Sequence, residues 1–377
     1  MVKEFSTDIL TKEPNQIEML LEACTEALTA KNKPIILFGA GMIGKYYSEL
    51  IKDKLNMEKE ILFCDNNPAK FGAVINGVPV ISFDELKNNY RDSYIIITSL
   101  KYCNDLLLQL KENGLSPLLD PLIYSVFIGD TAFYKTYADY RRVIRENINK
   151  FKQAYELLQD EYSRRIFIDR LNYCISADTK YLTPYISNSP QYFEKGIISL
   201  SDDEIFIDGG SYKGDTLDEL LRQTNGRIKQ AYCFEPEKTK HKEFLSKFSA
   251  LKNVELIPCG LWSGKDELSF NATGTGSSSI SRFGTVKIQV TSLDEVLQGA
   301  PATFIKMDIE GAEMEALKGA ENTIRKHRPK LGICVYHKPL DIAEIPLYIK
   351  ELLPEYKIYL RHYNYGSSET VCYAVAE

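Results

Sequence analysis

The sequence predicts an α/β protein built from two successive parallel sheets, the second of which ends in an antiparallel hairpin. Three observations carry this prediction. Short aliphatic runs alternate with helical stretches twice along the chain, a glycine-rich turn follows the first strand of each series, and two strand-like runs close the chain around a short turn bearing Asn, Gly and Ser. Strands joined through helices require right-handed crossovers and hence a parallel sheet. A connection too short for a helix leaves an antiparallel pair.

In chain order, Ile17, Leu20, Leu21, Cys24, Ala27 and Leu28 stand at helical spacing and mark a helix within residues 1–32. Pro34 then introduces Ile35-Ile36-Leu37-Phe38, a short buried strand. A helix over 42–54, a strand over 61–65, a helix over 83–89, a strand over 94–98 and a helix over 102–113 complete a small domain, residues 33–125. Residues 131–178 contain neither Gly nor Pro and set Tyr140, Val143, Ile144, Ile148, Phe151 and Tyr155 at helical spacing, so 126–194 reads as a connector of one or two long helices. Thr183-Pro184 and Ser189-Pro190 punctuate its end. The second α/β region, 195–377, opens with a strand at 204–208 and continues with strands near 230–235, 254–258, 303–308 and 331–336 before the hairpin of 356–360 and 369–375. Residues 273–281, rich in Gly, Ser and Thr, read as a loop between strands, a linker or a lid.

Composition narrows the function classes. The 377 residues are 44% hydrophobic and 26% charged, which excludes a disordered chain and a disulfide scaffold. A net charge of −6 offers no global basic field, so neither a nucleic-acid nor an anionic-membrane partner is expected. Eight scattered cysteines without a CxxC pair read as buried thiols in a reducing compartment. No signal-like N-terminus and no bilayer-length apolar run is present, so the expected location is cytoplasmic, with a homo-oligomer left open.

The first glycine-rich turn is Gly39-Ala40-Gly41-Met42-Ile43-Gly44, with Asp65 at the end of the next strand. After a strand and before a helix, such glycines let backbone N–H groups approach a pyrophosphate, and the acid is placed to accept ribose hydroxyls. The expectation is a Rossmann-like nucleotide-binding domain. Asp65-Asn66-Asn67-Pro68 and Gly77-Val78-Pro79-Val80 resemble small sugar-nucleotide-binding domains found beside some transferases. No hydride-transfer residue follows them, so a nucleotide or nucleotide-sugar ligand is favoured over an NAD(P)-dependent oxidoreductase, which stands as the alternative.

The second turn is Asp208-Gly209-Gly210-Ser211-Tyr212-Lys213-Gly214, and Phe234-Glu235-Pro236 ends the next strand. Gly209 and Gly210 let a ligand lie against the turn, Gly214 opens the helix close to it, and Glu235 is placed to accept both hydroxyls of a ribose. An acid where a pyrophosphate would sit argues for a cofactor without phosphates. S-adenosylmethionine meets that description, with Trp262 and Leu261 placed to flank its adenine.

The run Phe304-Ile305-Lys306-Met307-Asp308-Ile309-Glu310-Gly311-Ala312-Glu313, taken with Asp208-Gly209-Gly210, Phe234-Glu235-Pro236, Ser277-Ser278-Ser279 and Thr291-Ser292-Leu293-Asp294, resembles the FkbM-type family of S-adenosylmethionine-dependent methyltransferases over residues 195–377. The resemblance implies a class I methyltransferase sheet, doubly wound and ending in an antiparallel hairpin. It also implies a cofactor loop at Asp208, Gly209, Gly210 and Gly214 with Glu235 as ribose ligand. Family members often carry Ala-Asn after the first glycine; Gly210-Ser211-Tyr212 stands here instead, which leaves the contacts of Ser211 and Tyr212 open.

Lys306, Asp308 and His337 are the candidate catalytic residues, because the strands bearing them end at the crevice where the cofactor would bind. Methyl transfer to oxygen requires removal of a proton, and His337 or Asp308 is the expected general base. Asp308, Glu310 and His337 are ligand types that suit Mg²⁺ or Mn²⁺, but their spacing is not diagnostic and no metal is expected. The sequence therefore points to O-methylation of a hydroxyl, with a sugar, glycan or secondary-metabolite acceptor implied by the resemblance. A non-catalytic nucleotide-sugar-binding subunit is a second alternative.

Overall fold

The computed structural model describes residue 5 and residues 33–55, 60–99, 102–117, 140–176, 181–271, 279–280, 286–364 and 368–376. The helix expected within 1–32 and most of the loop at 273–281 lie outside them.

Ile35–Phe38 (β1) carries no polar side chain and is wholly buried, as a strand covered on both faces must be. It pairs in parallel with β2 (Ile61–Cys64) and β5 (Tyr94–Ile97) in a five-stranded sheet. Helices α1 (Met42–Leu55) and α2 (Phe83–Asn89) connect the strands and α3 (Cys103–Glu112) follows the last of them, all close to their expected bounds. The sheet also holds a pair that the sequence reading omits, β3 (Val74–Ile75) and β4 (Val78–Ile81). These runs are too short to show periodicity, and Pro79 argues against a strand. Asn76-Gly77, both at positive φ, makes the two-residue hairpin turn.

Residues 140–176 form three helices, α4 (Tyr140–Glu146), α5 (Ile148–Leu157) and α6 (Glu161–Ser176). They share one hydrophobic core with the second sheet: Phe151, Tyr155 and Phe167 pack in the same cluster as Ile345, Ile349 and Ile358.

The second sheet has seven strands: β6 (Ile205–Gly209), β7 (Gln230–Phe234), β8 (Val254–Ile257), β13 (Phe304–Met307), β14 (Lys330–Cys334), β15 (Lys357–His362) and β16 (Thr370–Val375). Their order is β15-β16-β14-β13-β6-β7-β8, with β16 inserted antiparallel between β14 and β15. Successive β6 side chains serve opposite layers. Phe206 joins Leu217 and Leu220 of α7 (Asp215–Gln223) and Phe244 and Phe248 of α8 (Lys238–Phe248). Ile207 joins the layer containing α9 (Leu293–Leu297), α10 (Glu313–Lys318), α11 (Glu321–His327) and α12 (Asp341–Leu352). A smaller sheet of β9 (Gly260–Leu261), β10 (Asp266–Asn271), β11 (Ser279–Ile280) and β12 (Val286–Thr291) stands beside the crevice, so Ser279-Ile280 of the expected loop is a strand. Among the described residues no cysteine is in a disulfide, and no helix is long and apolar enough to cross a membrane.

Candidate active site

Strand order reverses between β6 and β13, and the crevice at their carboxyl ends is where doubly wound sheets bind ligands. Gly210, at φ 78°, shapes it: a Cβ there would lie 1.9 Å from the Asp308 carbonyl oxygen, so only glycine lets the loop lie against β13. Lys306 and Asp208 are register partners in the paired strands. Lys306 Nζ donates to Asp208 Oδ1 at 2.9 Å, to Gly209 O at 3.1 Å and to Gly210 O at 2.8 Å, so its three protons are all used in stapling the loop. Burial alone would lower the lysine pKa, but the Asp208 and Asp308 carboxylates outweigh it and hold the ammonium above its ordinary range.

A cavity of about 380 Å³ opens above this pair, lined by Gly210, Ser211, Tyr212, Glu235, Leu261, Ile288, Lys306 and Asp308, among others. Glu235 accepts the Tyr212 N–H at 2.9 Å and the Glu237 N–H at 2.7 Å, tying the two strand-end loops together. Burial pushes its carboxyl up to about 7 against those two donors. Asp208, Gly209 and Gly214 sit behind the lining. Asp208 is fully buried against Lys306, and Gly214, at φ 84°, seats the start of α7 against Phe248. Trp262 is not in the lining either. Adjacent residues of an extended chain face opposite ways, so Leu261 takes the cavity and Trp262 packs with Ile288, Val290 and Leu268.

At the other end of the crevice, Asp308 accepts the Tyr192 hydroxyl at 2.9 Å and the Tyr336 hydroxyl at 3.0 Å. Burial would raise its pKa; Lys306, His337 and the two phenols hold it below the usual carboxylate range. His337 Nε2 lies 3.5 Å from Asp308 and 3.6 Å from Glu310, and its Nδ1 lies 2.9 Å from Glu313. Despite burial, these carboxylates push the imidazole up to about 10. The surroundings thus call for positive charge beside these carboxylates. Glu310 and Glu369 also line the cavity, and burial pushes each up to about 7.

Sequence reasoning missed Gln191, Tyr192 and Glu369, which come from segments without a motif. Gln191 Nε2 donates to both the Tyr192 hydroxyl and Glu369. Tyr192, Tyr212, Glu310 and Glu369 are all non-glycine residues at positive φ and all line this cavity. Such conformations cost about 1–3 kcal/mol each and gather at binding sites, where the surroundings enforce them.

A second cavity, about 630 Å³, lies against the first glycine-rich turn and is lined by Gly39, Gly41, Met42, Ile43, Asp65 and Lys70, among others. Gly44 is required there, since a Cβ would lie 2.1 Å from Gly39 O. Asp65 is among the lining residues. Its Oδ2 accepts the Ala40 N–H at 2.9 Å and Lys70 Nζ at 2.8 Å, and its Oδ1 accepts the Asn67 N–H at 2.9 Å, so the carboxylate holds the loop and is neutralised by Lys70.

The seven-stranded order with its inserted antiparallel strand and switch-point cavity defines a class I methyltransferase fold. Residues 128–365 match the methyltransferase FkbM domain, and the chain belongs to that family. Residues 31–117 match the family described as C2185-like, N-terminal. The methyltransferase FkbM from Methylobacillus flagellatus KT shares the fold, with a TM-score of 0.67 at 24% identity over 98% of this chain and 95% of that one. An rRNA methylase from Streptococcus thermophilus aligns with 47% of this chain and 90% of its own at 17% identity and a TM-score of 0.32. A putative methyltransferase from Streptococcus mutans, solved with SAH, aligns with 53% of this chain and 97% of its own at 14% identity and a TM-score of 0.29. No curated protein matches the chain in sequence.

Proposed function

We propose that the cavity at the ends of β6, β7 and β13 binds S-adenosylmethionine and that the enzyme methylates a hydroxyl oxygen of a sugar, glycan or secondary-metabolite acceptor. The observation that carries this reading is the pairing of Glu235 with a cavity whose lining lysine has no proton to spare for a phosphate. Lys306, the lysine in its lining, spends every proton on Asp208, Gly209 and Gly210. The fit is chemical as well: Gly210 leaves room where a side chain would collide, Glu235 keeps lone pairs for a ribose diol, and Leu261 and Ile288 supply an apolar flank. The bound cofactor supplies an electrophilic methyl group on a sulfonium. The chain's part is to fix the loop through Lys306, to hold Asp308 ionised between Tyr192 and Tyr336, and to take up the acceptor's proton at Glu369, whose near-neutral pKa suits a base.

In the same reading residues 33–125 are one domain and 195–377 the other, in a cytoplasmic setting, and the helices of the expected 126–194 connector pack into the core of the larger sheet rather than standing apart. The smaller domain binds a nucleotide or nucleotide-linked sugar beside Gly39–Gly44, supported by the 630 Å³ cavity against that turn and by the N-terminus of α1, which opens there. A native mass spectrum of the full-length chain, taken alone and with S-adenosylhomocysteine or NADH, tests both assignments. A complex with S-adenosylhomocysteine supports the methyltransferase. A complex with NADH alone supports the oxidoreductase reading instead.

A further inference from the structure

We propose that His337 Nε2, Asp308 and Glu310 form a binding site for one divalent transition-metal ion in the wall of the large-sheet cavity, with Glu313 orienting the imidazole through its other nitrogen. The four residues come from two neighbouring strand ends: Asp308 and Glu310 follow β13, Glu313 opens α10, and His337 follows β14. Glu313 faces Nδ1 on one side of the imidazole, and Asp308 Oδ1 and Glu310 Oε2 face Nε2 on the other. Bonds of 2.0–2.2 Å place ligands at opposite poles of a metal about 4.0–4.4 Å apart, so small side-chain rotations bring the last three atoms into one coordination sphere.

The separations around the imidazole support this. At 3.5 and 3.6 Å, Nε2 is too far from Asp308 Oδ1 and Glu310 Oε2 for good hydrogen bonds. The same distances are close to the edge of a tetrahedron with such bonds, about 3.4 Å. An independent sign is polar dissatisfaction. The His337 side chain is only 9% exposed, and while Nδ1 is taken by Glu313 at 2.9 Å, Nε2 has no hydrogen bond of acceptable geometry. Buried polar atoms without partners are uncommon in native proteins, and an ion is one of the few things that satisfies them.

Charge argues the same way. Three carboxylates face one imidazole, Asp341 lies close behind Glu313, and the nearby lysines are committed: Lys306 to Asp208, and Lys338 Nζ to the Gly311 carbonyl. The orienting shell is already built. Tyr192 and Tyr336 hold Asp308, and the Ile309 N–H holds Glu313 Oε1 at 2.9 Å. Asp308 and Glu310 line the cavity, which gives the ion an entry path. A mixed imidazole and carboxylate set selects Mn²⁺, Co²⁺ or Zn²⁺ over Mg²⁺ and Ca²⁺, which take oxygen ligands.

The test uses the full-length chain, stripped with chelator and titrated with MnCl₂ alone while free Mn²⁺ is read by EPR. Mn²⁺ avoids the thiols that would confuse a zinc titration. The expected result is one bound ion per chain, not displaced by equimolar Mg²⁺, and an affinity lowered by about 10–100-fold in Glu313→Gln and in His337→Ala. Pulsed EPR of the Mn²⁺-loaded native chain, which needs no variant to fold, should show coupling to one imidazole nitrogen. No binding by about 1 mM Mn²⁺, binding untouched by both substitutions, or binding without imidazole coupling overturns the site. Since the titration contains no cofactor, its outcome is separate from that of the S-adenosylhomocysteine experiment.

Discussion

Replacing Lys306 by Met removes the cation that holds the cofactor loop. Asp208 and Lys306 are 0% and 2% exposed, so neither water nor a neighbouring cation compensates the carboxylate left behind. Breaking a buried pair by removing one partner costs about 3–5 kcal/mol, a large share of a typical stability of about 5–15 kcal/mol. Gly209 O and Gly210 O lose their donor as well. Burial already pushes the Asp208 carboxyl up, and without Lys306 it rises further. A carboxyl whose folded pKa lies above its unfolded value of about 3.9 costs nothing below that value, where both states are protonated. The penalty grows by about 1.4 kcal/mol per pH unit above it until the folded pKa is passed. The deficit of Lys306→Met relative to the native chain should therefore be complete at pH 8 and shrink towards pH 5. Asp208→Asn/Lys306→Met, with no charge left unpaired, should recover part of it. Urea unfolding reports this through Trp262, the single tryptophan, which stands beside the cavity in the small sheet's core. A loss below about 1 kcal/mol, or one equal at both pH values, would refute the account of this pair.

Glu235→Ala should weaken S-adenosylhomocysteine about 10–150-fold, the equivalent of the 1.5–3 kcal/mol of a charge-assisted hydrogen bond; unchanged calorimetric affinity removes the ribose role. Because burial pushes Glu235 up to about 7, native affinity should also fall from pH 8 to pH 6 as the carboxylate gains a proton, and Glu235→Gln should flatten that slope. Gly210→Ala forces a Cβ to 1.9 Å from Asp308 O, so it should lower the thermal midpoint and abolish S-adenosylhomocysteine binding together; retention of both would contradict the loop geometry. His362, fully buried and bonded to Thr370 Oγ1 at 2.9 Å, is pushed down to about 3 by burial and by Arg170. Folded His362 stays neutral while the unfolded chain takes a proton below about 6.5, so stability is lost as pH falls through that value, by about 1.4 kcal/mol per unit. Urea midpoints at pH 7.5 and 5 should differ more in the native chain than in His362→Asn, and equal differences would contradict this.

Much of the fold is legible because its cause is local. Ile35–Phe38 and Phe304–Met307 are apolar or cross-strand-paired runs that a parallel sheet buries, and the turn before Thr370–Val375 is too short for a crossover helix. The hairpin at Asn76-Gly77 escaped because two residues show no period, although Asn-Gly is itself a turn signal. At the site, Gly210 and Glu235 are legible since their roles follow from their place at strand ends. Long-range surroundings are not. The fold sets three carboxylates around His337 and brings Lys70 and the Ala40 N–H to Asp65, contacts that no local pattern announces, and Tyr192 and Glu369 reach the cavity through isolated positive-φ residues that leave no periodic trace. The choice between Leu261 and Trp262 rests on strand parity, which one residue of uncertainty in the strand start reverses.

The central claim is that a phosphate-free adenosyl cofactor occupies the cavity between Gly210 and Glu235. Calorimetric titration of S-adenosylhomocysteine into the full-length chain tests it most directly. The account predicts one site per chain, with binding that survives Asp65→Ala and is lost or greatly weakened in Glu235→Ala. Absence of binding in the native chain, or binding that follows Asp65 and ignores Glu235, would contradict it.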